Sequence, residues 1–264
     1  MGGGAVAPEG KALAGIIIRE RTTLDLPPGF TLVTLRELGD AFSHAREIAA
    51  ASGAATIVWS RRATMAEFAI VLEPDEPLAQ ARRGFYAGMN ALADALAARM
   101  PPEKPLAFDW PDAIRIDGGL IGGGRLAWPT GVAEHAVPDW LVFGATIRVT
   151  IAALHEGGAT PDMTALEEEG FEQSDPGDLI EGFSRHLMAI FDTWRERGFA
   201  PVGEEYLARL SGRPGEGARL TRGIDAAGDL IVKAADDKIV ARQSLARALA
   251  APSWLDPATG EPKL

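Results

Sequence analysis

No cysteine occurs in this 264-residue chain, and that absence removes disulfides, thiolate metal sites and cysteine nucleophiles together. Histidine is rare. His44, His135, His155 and His186 stand far apart, without the close pairing of a helical zinc motif, so no bound metal is expected. Lysine is equally sparse, at Lys11, Lys104, Lys233, Lys238 and Lys263. With 37 acidic residues against 26 basic ones the net charge is −11, which excludes an overall footprint for nucleic acid or an anionic membrane. No apolar run approaches the roughly 20 residues of a membrane span. The start, MGGGAVAPEGKALAG, lacks the basic residues and long apolar run of a secretory signal. Residues 1–25 therefore read as a flexible leader, and the chain as a cytoplasmic protein with no membrane or nucleic-acid partner.

What is present is material for a core. Hydrophobic residues make up 47% of the chain, enough for one large domain with or without a smaller companion. The pattern predicts strands over 30–36, 55–60, 67–74, 106–110, 113–117, 120–128 and 140–151. Helices are predicted over 38–52, ended by Gly53, and over 78–100, ended by Pro101-Pro102. Gly118-Gly119 is the expected hairpin turn. Beyond 151, PDMTALEEEGF reads as a loop and a capped helix, followed by helices over 179–199 and 203–211. After the loop GRPGEGA come short strands in RLTRGID, DLIVKA and KIVARQSL. The order implies an α+β fold with a mixed or antiparallel sheet over 26–212, and a small β-rich domain over 213–264.

One stretch concentrates candidate chemistry: FDWPDAIRIDGGLIGGG, residues 108–124. Gly122, Gly123 and Gly124 have no Cβ, so they either line a ligand pocket with backbone or form a bulge beside a packed helix. Trp110 is either a pocket wall or a core residue. Asp109 and Asp112 flank Trp110-Pro111, as an acid–base pair or as turn aspartates bonded to their own backbone. The arginines nearest the predicted strand ends are Arg61, Arg62, Arg115, Arg125 and Arg148. Converging arginines would hold a carboxylate or phosphate in bidentate fashion; dispersed, they are surface or hairpin partners.

Four segments in this order, SGAATIVW, DWPDAIRIDGGLIGG, WLVFGATIRV and LTRGIDAAGDLIV, resemble the biotin/lipoate A/B protein ligase family over about residues 30–245. The closest resemblance is to biotin protein ligases and a ligase-like subgroup of unsettled function. The resemblance implies the family's catalytic fold, a mixed sheet with helices, followed by a small SH3-like C-terminal domain. It implies ATP and biotin, lipoate or octanoate as ligands if the chain is active, and a biotinyl or lipoyl carrier domain as partner.

The chain departs from the family pattern where charge matters. The lysine expected before Trp-Pro falls at Asp109, the following Asn at Asp112, the catalytic lysine at Leu120, and the Asn of the third segment at Arg148. Of the basic glycine-rich loop only Arg61 and Arg62 remain, within SRRATMA. Forming an acyl-adenylate builds negative charge that fixed cations must neutralise, and arginine does not simply replace a catalytic lysine. The expectation is a divergent member that recognises a small carboxylic acid or its adenylate. Arg61, Arg62, Arg115 and Arg148 are its candidate cations, and Trp110, Asp112 and Gly122–Gly124 its candidate pocket. The rival expectation is a non-catalytic scaffold that contacts a carrier domain. An acyltransferase taking a preformed thioester ranks last, since without cysteine it needs direct attack by the acceptor lysine.

Overall fold

The computed structural model describes residues 23–36, 39–151, 162–171, 175–212 and 220–263. Residues 1–22 of the leader expected over 1–25, His155 and most of the GRPGEGA loop lie outside them. The first strand, β1 (Thr31–Leu35), runs through α1 (Ala41–Ser52) into β2 (Thr56–Ser60), which lies parallel to it. Asp40 starts α1 by accepting the Ser43 amide at 3.0 Å, a side-chain N-cap that satisfies an otherwise orphaned helix donor.

The chain continues antiparallel through β3 (Met65–Leu72), then α2 (Leu78–Ala81) and α3 (Gly84–Ala97), to β4 (Leu106–Asp109), β5 (Ala113–Ile116), β6 (Gly119–Ala127) and β7 (Leu141–Arg148). Seven strands form one sheet in the order β1-β2-β3-β7-β6-β5-β4. The helices α4 (Pro176–Arg197) and α5 (Ala200–Arg209) follow. A separate antiparallel sheet contains β8 (Thr221–Ile224), β9 (Leu230–Lys233) and β10 (Ile239–Gln243). The expected mixed sheet with helices, plus a small C-terminal β unit, is thus what forms.

Strand alternation divides the large sheet into two faces. On one, Phe68 meets Phe183 of α4 edge-on at 4.7 Å, and Phe143 stacks on the same ring at 5.7 Å. On the other, Val58, Ala69, Val71 and Val142 pack with Ala41, Phe42, Ala45 and Ala49 of α1. Helix α1 covers β2, β3 and part of β7, leaving the β5–β6 end of this face for something else to cover.

Three expectations need correction. The helix predicted over 78–100 is broken at Arg82-Arg83, where i→i−3 bonds such as Arg83 N–H to Gln80 O (3.0 Å) form a tight turn. The two arginines leave it for different partners: Arg82 pairs with Glu134 and lies over Trp128, while Arg83 pairs with Glu76 at 2.6 Å. The helix expected within 161–171 is a single turn, closed by the Phe171 amide on Leu166 O at 3.1 Å with Gly170 at φ 84°. The β5–β6 hairpin turns on Asp117-Gly118, one residue earlier than expected. Ile116 pairs with Gly119, and both turn residues have positive φ, as a two-residue primed turn requires. A further helix, α6 (Leu245–Leu249), had no expectation; it buries Leu245 and Leu249 against the main core.

Candidate functional site

The hairpin β5–β6 positions the glycine-rich stretch, and one extra residue decides how. Ala113 pairs with Gly123 and Ile114 with Gly122, but Arg115 pairs with Leu120. Ile121 is therefore a bulge residue, and the glycines beside it meet three different neighbours. Gly122 has φ +145°, and a Cβ there would collide with the Thr146 carbonyl oxygen. Gly124 faces the helices, where a Cβ would come within 2.7 Å of Met89 Sδ. Gly123 faces the other way, into a row shared with Ala113, Thr146 and Glu67.

That row is covered by the end of the chain. Trp254, 1% exposed, lies against Gly123, where an added Cβ would be 2.5 Å from its indole. Its Nε1–H donates to Gly124 O at 3.2 Å, and its ring packs with Ala113, Leu120 and Leu255. Beside it Ser253 donates twice to Asp112, from its amide at 3.0 Å and its hydroxyl at 2.6 Å. Asp112 is fully buried. Burial pushes its carboxyl above the ordinary range, and the Ser253 bonds only partly offset that.

Arg148 completes the seat. Its guanidinium donates to four carbonyls: Leu120 (3.4 Å), Thr164 (3.2 Å), Pro262 (2.7 Å) and Lys263 (3.1 Å). Burial holds it below the usual arginine range, with Glu261 acting in the opposite direction. Arg62 pairs with Glu67 and with Glu261.

The structure thus brings Arg62, Asp112, Gly123, Gly124 and Arg148 together around residues 253–263. The other candidates are engaged elsewhere or alongside it, Arg125 feeling the charge of Glu67. Arg115 sits at the hairpin end, bonded to Asp109 at 2.5 Å and to Gly118 O at 2.8 Å. Trp110 turns toward Tyr86, whose hydroxyl accepts its indole N–H at 3.4 Å. It borders a separate cavity of about 270 Å³ with Phe108, Leu210 and Arg222. Arg61 anchors its amide on Leu35 O, and its Nε is buried without a partner. Arg125 lies over the Phe42 ring at 4.4 Å, 3.6 Å from Asp40.

Sequence reasoning missed Glu67, Ser253 and Trp254. Glu67 is 4% exposed; it accepts the Ala41 amide at 2.9 Å and faces Arg62. A lone acid inside the apolar strand MAEFAIVL was its signal. Ser253 and Trp254 carried none, since nothing local tells a tail tryptophan what it will cover. Among the described residues no group of three or more His, Asp or Glu side chains could hold a metal ion. No helix among them is long and apolar enough to cross a membrane.

Comparison with known proteins bears on this geometry. The model of the biotin/lipoate A/B protein ligase family matches residues 26–208. A biotin–[acetyl-CoA-carboxylase] ligase of Paracoccus denitrificans is 30% identical over 229 residues, 80% of this chain and 88% of that protein. The crystal structure of a biotin protein ligase-like protein of unknown function from Silicibacter sp. superposes with a TM-score of 0.72 at 27% identity, covering 85% of this chain and 98% of that one. The biotin protein ligase of Aquifex aeolicus in complex with biotin and ATP shares the fold at 14% identity and a TM-score of 0.58, covering 80% and 95%.

Proposed function

The chain belongs to the biotin/lipoate A/B protein ligase family, and from that premise we propose that it binds a small carboxylic acid of the biotin, lipoate or octanoate type, or the corresponding adenylate, on the sheet face around Gly123. The observation that carries this reading is the row Ala113–Gly123–Thr146. Two small residues and a threonine leave space beside the strand backbone that the Trp254 indole fills, bordered by the carboxylate of Asp112 and the guanidinium of Arg148. A recess with few, placed polar groups is what small-ligand sites provide. The Paracoccus denitrificans relative, named as a ligase for biotin, favours biotin among the three acids.

The ordinary ligation is not part of the proposal. In that reaction a carboxylate oxygen attacks the α-phosphorus of ATP, pyrophosphate leaves, and fixed cations hold the charge that builds up. Here Leu120 stands where the family resemblance puts the lysine. The guanidinium of Arg148 is bound by carbonyl oxygens and that of Arg62 by carboxylates. Both guanidiniums are already engaged rather than aimed at an α-phosphate, so we read the chain as binding without turnover. A biotinyl or lipoyl carrier domain is the docking partner in the same reading, with no acyl group transferred.

Calorimetric titration with biotin, lipoate and octanoate tests the binding. A pyrophosphate-release assay with ATP and magnesium tests the chemistry. The expected result is saturable binding of at least one acid with no pyrophosphate formed. Binding of none removes the reading, and steady pyrophosphate release shows the chain to be an active ligase.

A further inference from the structure

The residues over the recess are the chain's own, and the way they are held is specific. Residues 251–263 leave α6 and cross to the open end of the large sheet. There they fold back on themselves, with Asp256 N–H on Glu261 O at 2.8 Å and Lys263 N–H on Trp254 O at 2.8 Å. Trp254 and Pro262 are buried, while Pro257, Ala258, Thr259 and Gly260 are exposed. The segment has no regular secondary structure beyond an isolated bridge between Leu255 and Pro262. It is held by one aromatic anchor and by polar contacts to Gly124, Asp112, Arg148 and Arg62 rather than by strand pairing with the large sheet, and segments tied down without such a ladder open locally at lower cost than the strands they cover.

Each of those contacts masks a group suited to a small acid. The indole fills the recess over Gly123 and uses Gly124 O as acceptor for its N–H. Ser253 occupies both carboxylate oxygens of Asp112. The carbonyls of Pro262 and Lys263 take up one end of the Arg148 guanidinium. Lifting the segment would free, within one recess, a slot as wide as an indole, a carbonyl acceptor for a ring N–H, and a guanidinium edge for a carboxylate.

We propose that residues 251–263 are a displaceable strap. In the strapped state Trp254 stands in for the ligand, and a small acid bearing a flat ring with an N–H donor enters only as the strap leaves. This rests on the recess being the chain's ligand site, as proposed above. It adds that binding is self-competed: apparent affinity is lowered by the fraction of molecules in the strapped state.

The test uses the full-length chain, its Trp254→Ala and Ser253→Ala variants, and biotin as the probe. Removing the anchor should tighten biotin binding by about tenfold or more, in proportion to the strapped fraction it abolishes. Ser253→Ala, which loses only the hydroxyl contact, should shift affinity less and in the same direction; it carries the comparison if Trp254→Ala does not fold. In the wild type, saturating biotin should speed hydrogen exchange at the Ser253 and Lys263 amides. Folded variants that bind biotin no more tightly overturn the strap. So does wild-type binding that leaves tail exchange unchanged.

If no form binds biotin, the ligand reading fails for that acid, and indole decides the strap separately. Trp254→Ala taking up indole and regaining thermal stability supports a ligand-sized seat held by the tail. A folded variant that ignores indole overturns it.

Discussion

Asp112 is buried beside the Ser253 amide and hydroxyl, and burial holds its carboxyl above the ordinary value of 3.8. A raised carboxylate pKa means that the folded chain binds more protons than the unfolded one between 3.8 and the raised value. Stability contributed by this group therefore rises as pH falls through that window and is lost as pH climbs above it. Asp112→Asn keeps an acceptor for the Ser253 amide and carries no charge. Against that variant, wild-type stability in urea should gain ground on acidification toward pH 3.8, and the variant should be at least as stable at pH 7. A wild-type advantage that grows with rising pH would show that the Ser253 bonds dominate. The sequence singled out Asp112 by its place after Trp110-Pro111. That it is capped by Ser253 was not legible there, because the partner lies 141 residues away in sequence. The glycine triplet was legible as a pocket lining or a bulge; that the bulge falls at Ile121 and gives each glycine a different neighbour was not, because it depends on the pairing with β5 and β7.

At the scale of elements, the amphipathic patterns marked the strands and helices well, and the ends less well. Helix α1 is an example where the end was built locally. Burial pushes the Asp40 carboxyl up, but its bonds to the Ser43 amide and hydroxyl, with Arg125 nearby, outweigh that and leave it below its ordinary value. A depressed carboxylate contributes stability above its unfolded pKa and loses it as pH falls through the folded one. Asp40→Ala should cost about 1 kcal/mol at neutral pH, the usual worth of an N-cap. That cost should shrink progressively below pH 3.8, as followed by chemical denaturation at a series of pH values. An unchanging cost would mean that the cap acts through shape rather than charge. The break between α2 and α3 is the contrary case. The apolar period runs straight through Arg82 and Arg83, and partners supplied by other segments, Glu134 and Trp128 for the first and Glu76, Trp194 and Phe199 for the second, draw the two side chains apart.

Across the whole molecule, the small sheet is tied to the large domain through buried polar contacts. The Tyr86 hydroxyl in α3 donates to Gly228 O at 2.6 Å, in the turn between β8 and β9, and its ring meets Tyr206 of α5 at 4.6 Å. Tyr86→Phe leaves the Gly228 carbonyl and the Trp110 indole N–H short of a partner at almost no change in volume. The expected loss is roughly 1–2 kcal/mol, with faster hydrogen exchange in β8 and β9 than in β2 or β3. Equal exchange in all four strands would show that this contact does not couple the two sheets.

By itself the sequence determined the class of fold. Alternation and helical period, punctuated by Gly53 and the Pro101-Pro102 stop, specify which segments can be strands and which helices, because those preferences are local to the backbone. It also excluded disulfides and thiolate chemistry, since the chain has no cysteine. Only the tertiary structure decided what the remaining polar groups do. Arg148 meets carbonyls of the tail, Asp112 meets Ser253, and Trp254 covers Gly123, through contacts that join residues more than 100 positions apart. Such pairings depend on how the C-terminal segment packs back onto the large sheet, and that packing is a property of the closed fold rather than of any stretch of chain.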